Sequence, residues 1–400
     1  MLVSVAIMLV TDGMLKGCQF VINIFIARKL GPSDYGLFND IFSLSHLLGI
    51  AIDMGLSTAI VRDLASNDKN ARKNLDGVLF LKAVLVLGCL VLGTVILLTA
   101  NQGGELTLWF WLTVGTYNLV QWSYLHFIYG IWRGEKLIME ENKSKLINLF
   151  GLLLGFSLFV YTGSSNHAGL PLLLIALTPS VILSLTNFKG FFSVKIPPPY
   201  NIWLIITRAK YLYLNELLSV ILLILPFQYI SRIHSHQLVG YYSAAYRLVL
   251  PMCFVVAVVN KTLLTFLVSK KKYSSSEIAV GVLSLFGISV FSILIMKFSP
   301  WLIANIYGPS FSEAIVALQW LAFLPPIYGL FLLFGSYLIA TENDSLAVGS
   351  GIMTVLAYGI FSFFLTETQH QPQLRVAICL ILALACGVAL RLIGIRTIKS

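Results

Sequence analysis

Charged residues are scarce in this sequence: Asp, Glu, Lys and Arg together make up 11% of its 400 residues. Hydrophobic residues account for 58%, well above their usual share in soluble globular domains. So little charge excludes an ordinary soluble domain. The long apolar runs predict a membrane protein instead.

Common catalytic patterns are also missing from the sequence. It has no GxxxxGKS phosphate loop, no HExxH zinc motif, no nucleophile elbow and no Asp-rich metal pair. The five cysteines lie in apolar segments without a CxxC pair, which indicates packing rather than metal ligation. These absences predict a protein that is not an enzyme and uses neither a cofactor nor a bound metal.

Apolar segments long enough to cross a bilayer, at about 20 residues each, recur along the whole chain. The sequence contains twelve candidates, at 3–27, 38–61, 78–99, 107–129, 146–162, 169–187, 202–230, 238–268, 277–298, 312–340, 346–366 and 374–394. We therefore predict an all-α integral membrane protein of about twelve transmembrane helices.

The distribution of basic residues predicts the orientation, because cytoplasmic loops are enriched in Lys and Arg. With the N-terminus inside, the inner loops and the C-terminal tail hold most of these residues, including Lys145. The outer loops hold only Arg28, Lys29 and Arg232. Lys82 lies at the start of the third predicted span, and its side chain is expected to extend to the membrane interface. Both termini are thus expected in the cytoplasm. The same asymmetry accounts for most of the +10 net charge without nucleic acid as a partner.

Two predicted spans carry polar residues on one helical face, a spacing that favours a face turned away from lipid. These residues are Asp12, Lys16, Gln19 and Asn23 in the first span, and Asn39, His46, Asp53 and Ser57 in the second. Both faces are expected to line a cavity. For Asp12 and Lys16 an alternative stays open, because opposite charges four residues apart can neutralise each other and simply pack the bundle.

The second half of the chain repeats the first at a constant offset of 204 residues. The matching pairs are Asp12 with Glu216, Arg28 with Arg232, Gly36 with Gly240, Phe38 with Tyr242, and Leu44 with Leu248. A proline triplet at 197–199 interrupts any helix between the halves. We predict a parallel internal repeat of two six-helix bundles, 1–195 and 196–400, around a central cavity.

The eighth predicted span carries two cations, Arg247 and Lys261, on one helical face. An arginine inside a span is costly, so Arg247 is expected to serve a function or to be paired. The alternatives are that Arg247 binds Glu216 and serves stability alone, and that Lys261 extends to the cytoplasmic interface.

Three motifs give this sequence a family resemblance. Ala27 to Gly36 reads A-R-x-L-G-x-x-x-Y-G, Asp53 to Leu56 reads D-x-G-L, and Val61 to Asp63 reads V-R-D. Together they resemble the N-terminal signature of the Wzx-type polysaccharide flippases, which belong to the MOP flippase superfamily. The stretch from Val239 to Leu248 resembles the same family's eighth-span signature.

The resemblance implies a flippase that moves polyprenyl-diphosphate-linked oligosaccharides across the cytoplasmic membrane by alternating access, as in O-antigen and lipopolysaccharide biosynthesis. A diphosphate needs a cationic path. The candidate substrate-binding residues are Arg247, Lys261, Lys16, Arg28 and Arg232. Asp12, Asp53 and Glu216 are candidates for counter-charge or ion coupling. Gln19, Asn23, Asn39 and His46 are expected to line the cavity.

The expected partners are the lipid-linked oligosaccharide, membrane lipid, and a polysaccharide polymerase with glycosyltransferases, around a monomeric transport unit. Two other functions stay open. One is a cation-coupled multidrug exporter of the same superfamily, and the other is a membrane scaffold of a polysaccharide assembly complex that transports nothing.

Overall fold

The computed structural model describes residues 2–53, 64, 69–99, 105–135, 137–161, 199–270, 275–341, 343–364 and 371–399. Every regular element within these ranges is helical. This is the expected outcome for an apolar chain, because a helix satisfies its backbone hydrogen bonds internally where water is absent.

The described part of the chain before residue 162 contains six α-helices and two π-helical turns. They are α1 (Leu2–Asp53), α2 (Lys69–Thr99), α3 (Glu105–Phe110), a π turn (Trp111–Gly115), α4 (Thr116–Leu119), a second π turn (Val120–Leu125), α5 (His126–Gly134) and α6 (Ile138–Tyr161). The segment from 105 to 134 is therefore one continuous helix that contains two π-helical turns. Such π-helical turns are often found at functional sites.

The described part after residue 198 contains seven α-helices and one 3-10 turn. They are α7 (Pro199–Ile233), α8 (His236–Lys270), α9 (Ser275–Ile306), the 3-10 turn (Pro309–Phe311), α10 (Ala314–Leu321), α11 (Leu324–Ala340), α12 (Asp344–Phe364) and α13 (Pro372–Lys399). The predicted span at 312–340 is thus two helices, and α11 begins with prolines in its first turn, where proline is tolerated.

Helix α1 is longer than the predicted first span, because it runs through the segment expected to be an outer loop. It is interrupted only at Gly31, whose φ of 71° and ψ of 175° are not helical. Glycine adopts such a conformation without steric cost, and Pro32 then opens the next helical turn. In place of the predicted outer loop, the structure has a break at Gly31 between two helical stretches.

The described residues include seven helical segments that are long and apolar enough to cross a membrane. They are Val10–Asp53, Tyr213–Ile233, His236–Asn260, Gly281–Ile306, Ala314–Ile339, Asp344–Phe364 and Pro372–Arg396. Val10–Asp53 has 44 residues, enough for two crossings at about 20 residues each. The predicted span at 169–187 lies outside the described residues, and the count of twelve stays a prediction.

The chain packs into two compact units. Unit 1 consists of Met1–Phe25 and Ile41–Tyr213, and unit 2 consists of Ile26–Asp40 and Leu214–Ser400. Within unit 1, α2 packs its Val78 and Leu79 against Phe127 and Trp132 of α5. Within unit 2, α8 packs on α11, and α13 packs on both α11 and α12. The division of the chain into halves at 195 and 196 stays a prediction.

Candidate functional site

A close backbone crossing in unit 2 brings the first signature motif against α8. A Cβ atom added to Gly36 would overlap the backbone carbonyl of His236 and lie 2.9 Å from the backbone nitrogen of Gly240. A Cβ atom added to Gly240 would overlap the carbonyl oxygen of Pro32. The two glycines that the 204-residue offset relates therefore meet at one crossing, and both are needed for the approach.

Arg247 lies further along α8, where this crossing places it beside Asn39. Its Nη2 donates to the Asn39 side-chain oxygen at 2.8 Å, and its Nε donates to the same atom at 3.3 Å. Asn39 is 3% exposed, and its own amide nitrogen donates to the Tyr35 carbonyl at 2.7 Å. The bond to Tyr35 thus fixes the position of the Asn39 side-chain oxygen that accepts from Arg247.

The surroundings of the Arg247 guanidinium are rich in aromatic rings. Tyr35, Tyr246 and Tyr307 all lie within electrostatic range of it. Phe311 packs edge-on against Tyr35, with 6.0 Å between the ring centroids. These neighbours of Arg247 are a neutral amide and three phenols, which carry no charge at neutral pH.

Two other predicted cations of unit 2 have different surroundings. Arg28 is exposed, and its Nε donates to the Ile306 carbonyl at 2.6 Å while Nη2 donates to the Asn305 carbonyl. These carbonyls end α9, so Arg28 caps a helix C-terminus, where a cation is favoured by the dipole. Arg232 is exposed at the end of α7.

Asp40 is a further carboxylate of unit 2, outside the predicted polar face. It accepts a hydrogen bond from Gln228 Nε2 at 2.7 Å and one from Ser231 Oγ at 2.5 Å. His236 and Arg232 lie within electrostatic range. Asp40 follows Asn39 directly and so falls off the polar face of that helix, which explains why the spacing did not reveal it.

Unit 1 contains a buried ionic cluster built by α1 and α6. Lys145 Nζ lies 2.6 Å from Asp12 Oδ1 and 2.7 Å from Glu141 Oε1. The side chain of Glu141 is fully buried, and that of Lys145 is 4% exposed. The prediction that Lys145 lies in a cytoplasmic loop is wrong. Because α6 begins at Ile138, about two helical turns before the predicted span at 146–162, Lys145 is inside the helix.

Replacing Lys145 with methionine is expected to destabilise the protein by about 3 kcal/mol, because the buried Glu141 carboxylate and the partly exposed Asp12 lose the lysine that they share. Lys143→Met is the matched control, since Lys143 is 59% exposed and pairs with Glu140 at the surface, where such pairs contribute little. Thermal unfolding in detergent micelles measures both. A double variant, Lys145→Met with Glu141→Gln, should recover part of the loss, and no recovery would contradict the ionic explanation.

The other three residues of the first polar face, Lys16, Gln19 and Asn23, are joined by hydrogen bonds. Lys16 Nζ donates to Gln19 Oε1 at 3.3 Å, and Asn23 Nδ2 donates to the Gln19 carbonyl at 2.7 Å. Lys16 also lies over the Trp122 ring, at 5.8 Å from its centroid. The counter-charge of Asp12 thus includes a lysine from α6 that the sequence analysis had not connected to it.

The described residues of the second predicted polar face, Asn39, His46 and Asp53, each contact a different partner. His46 stacks on Trp122 with 4.2 Å between ring centroids, and Asp53 forms a salt bridge with Lys82. Lys82 Nζ also donates to the Ser123 carbonyl at 3.0 Å, in the second π turn. The prediction that Lys82 reaches the interface is wrong, because its side chain is fully buried. Asn39 belongs to unit 2 instead.

Several predicted residues lie outside the described residues. They are the side chains of Glu216 and Lys261, residue Ser57, and the motif residues from Met54 to Asp63.

The residue set that the sequence analysis missed consists of Asp40, Lys82, Glu141, Lys145 and Arg391. Asp40 lies off the polar face of its helix. Lys82, Glu141 and Lys145 were passed over because hydropathy treats a charge near the end of an apolar segment as solvated, whereas all three are buried. Arg391, at 1% exposure, stands within the apolar run of the last predicted span, and that position alone could have drawn attention to it.

The fold is that of known membrane transporters. The lipid II flippase MurJ in an inward closed conformation superposes with a TM-score of 0.74, at 16% identity over 97% of this chain and 87% of that chain. An inward-facing multidrug resistance MATE family transporter of the MOP superfamily gives 0.72, at 16% identity over 96% and 94%. A MOP superfamily transporter from Pyrococcus furiosus gives 0.65, at 14% identity over 99% and 97%.

These similarities confirm the predicted all-α membrane fold of the MOP type. No curated protein matches the sequence. Residues 2–264, however, match the family described as polysaccharide biosynthesis protein, which confirms the resemblance seen in the signature motifs. The chain is a multi-pass membrane protein that belongs to the polysaccharide biosynthesis protein family.

Proposed function

We propose that this protein moves polyprenyl-diphosphate-linked oligosaccharides from the inner to the outer leaflet of the cytoplasmic membrane. The observation that carries the proposal is the half-buried Arg247, held by the neutral amide of Asn39 among three tyrosines. A guanidinium stays protonated in proteins, and its forked donors match phosphate oxygens, so a diphosphate is a natural ligand for Arg247.

The mechanism we propose is alternating access between two six-helix bundles. The cargo has a polar head that lipid rejects and an isoprenoid tail that lipid accepts, so the head needs a polar path through the protein. Arg247 is the principal diphosphate contact, with Lys261 further along the same helical face. Lys16, Arg28 and Arg232 are additional cations toward which the head can move, and no covalent step is involved.

The family match and the fold support this cargo class. The chain belongs to a family of polysaccharide biosynthesis and has a transporter fold, and the MurJ structure with that fold is that of a lipid II flippase. The asymmetry of basic residues supports a cytoplasmic location of both termini. A polysaccharide polymerase and glycosyltransferases are the partners that would consume and supply such a cargo.

A cation-coupled multidrug exporter is the second candidate, and it is favoured by the lysine-paired carboxylates of unit 1. Asp12, Glu141 and Asp53 each contact a lysine there. The fold is also shared with multidrug resistance transporters. A membrane scaffold that transports nothing is the remaining alternative.

Reconstituted vesicles separate these functions. We expect the purified protein to move a fluorescent polyprenyl-diphosphate oligosaccharide between leaflets, measured as the fraction accessible to a membrane-impermeant quencher. Vesicles that expel an amphipathic cationic dye but leave the lipid-linked sugar in place would establish the exporter. Vesicles that do neither, while the protein is folded, would favour the scaffold.

A further inference from the structure

Arg391 is a buried charge for which the proposed transport cycle has no use. It lies within the span Pro372–Arg396, which has the highest mean hydropathy of the described spans, at 2.7. Its side chain is 1% exposed. A guanidinium is always protonated in proteins, so α13 carries a permanent positive charge in an apolar environment, and neighbouring groups must compensate for it.

Four oxygen atoms surround this guanidinium. Nε donates to Ser350 Oγ at 3.0 Å, and Nη2 donates to Asn215 Oδ1 at 3.0 Å and to the Ala347 carbonyl at 3.4 Å. Nη1 donates to the Phe331 carbonyl. The acceptors come from α7, α11 and α12, so four helices meet at one cation. We call these four oxygens the oxygen cage.

The shape of the oxygen cage fits a flat cation. The Phe331 ring lies over the guanidinium, with 3.5 Å from the ring centroid to Cζ, a stacking that favours a planar cation. On α11, Gly335 gives Nη1 its space, because a Cβ atom there would overlap it. The Phe331 ring and Gly335 together leave a narrow slot, and the guanidinium fills it.

The charge of the oxygen cage is zero. Two of its oxygens are backbone carbonyls, one is an amide and one is a hydroxyl. The salt bridges among the described residues involve other cations. Neutral oxygens suit a monovalent cation, whereas Ca²⁺ and Mg²⁺ are normally held with the help of carboxylates.

We propose that the oxygen cage is a monovalent-cation site that the chain fills with its own Arg391 guanidinium. Unit 2 then carries a built-in cation whose presence does not depend on ions in solution. When the side chain is removed, the vacated cage should accept a free planar cation of the guanidinium class. This inference is independent of the transported substrate.

The first test compares Arg391→Lys with Arg391→Met by thermal unfolding in detergent micelles. Lysine keeps a cation for the oxygen cage, whereas methionine fills a similar volume with apolar atoms. We expect the lysine variant to melt above the methionine variant. Arg396→Met is the matched control, since Arg396 is exposed on the same helix, and it should melt like the wild type. A methionine variant at least as stable as the lysine variant would overturn the proposal.

The second test uses Arg391→Ala and free guanidinium chloride at millimolar concentration, far below denaturing levels. A ligand that binds only the folded state raises the melting temperature as its concentration increases. We expect this rise for Arg391→Ala and for neither the wild type nor Arg396→Ala. Urea, which has a similar shape but no charge, and choline chloride, which supplies only ionic strength, serve as solute controls. No rise, or an equal rise with urea or choline, would overturn the proposal. If Arg391→Ala does not accumulate, the comparison of lysine with methionine decides.

Discussion

Arg247→Ala is expected to abolish movement of the lipid-linked oligosaccharide while the protein inserts at normal levels. Loss of the two charge-assisted bonds of the fork, at about 1.5–3 kcal/mol each, corresponds to roughly a hundredfold or greater loss in cargo affinity. Arg247→Lys keeps the charge but not the fork, so it should retain partial activity. Initial rates of leaflet exchange in vesicles, normalised to folded protein, measure the effect.

The neighbouring Asn39 provides a sharper form of the same test. Asn39→Asp keeps the acceptor that holds Arg247 but adds a negative charge, which pairs with the guanidinium and competes with a diphosphate. If Arg247 contacts the cargo, this variant should lose transport while the protein stays folded, because the new ion pair with Arg247 offsets the lost hydrogen bond to the Tyr35 carbonyl. If Arg247 only ties α1 to α8, Asn39→Asp should transport normally.

Two further variants serve as controls for Arg247. Lys297→Ala removes an exposed cation of unit 2 and should leave transport unchanged. Arg247→Ala combined with Glu216→Ala examines the alternative in which Arg247 is paired only for stability. Restored transport in this double variant would contradict a role in cargo binding.

Gly36→Ala and Gly240→Ala are each expected to prevent unit 2 from reaching its native packing. In both positions the added methyl group meets a backbone carbonyl, which cannot rotate away as a side chain can. The cost should therefore exceed the roughly 1–3 kcal/mol of ordinary overpacking. We expect a strong loss of monodisperse protein in detergent, measured by fluorescence-detected gel filtration of a tagged chain.

The control for these variants is Gly17→Ala, in the same helix as Gly36. An added Cβ atom at Gly17 would have no neighbour within 4 Å. Alanine should there be neutral or slightly favourable, by up to about 1 kcal/mol, because it is the better helix former. A Gly36→Ala protein as stable as Gly17→Ala would show that the crossing can widen, and would remove the explanation for this part of the signature.

The sequence allowed the helical membrane fold and some of the candidate residues to be predicted, but not their partners. Arg247 and Asn39 were found separately, one as a cation within a span and the other by its seven-residue spacing from His46. Their contact joins residues 208 positions apart, and a pattern within one helix contains no information about that. Lys145 was assigned to a loop because hydropathy cannot distinguish a charge buried beside carboxylates from a solvated one.

The break at Gly31 agrees with the residue types there, whereas its consequence for packing does not follow from them. A glycine followed by proline marks an interruption. Only the tertiary arrangement shows that residues 26–40 join unit 2 while residues on both sides of them belong to unit 1.

This division of α1 has a consequence for the order of assembly during synthesis. Residues 26–40 leave the ribosome early, but their partners Gln228, Gly240 and Arg247 are made some two hundred residues later. Until then Asn39 can bond only within its own helix, to the Tyr35 carbonyl, and the long-range hydrogen bonds of Asn39 and Asp40 cannot form. A C-terminal half translated from residue 196 onward would have no Asn39 for Arg247, so unit 2 can be completed only after the whole polypeptide is present.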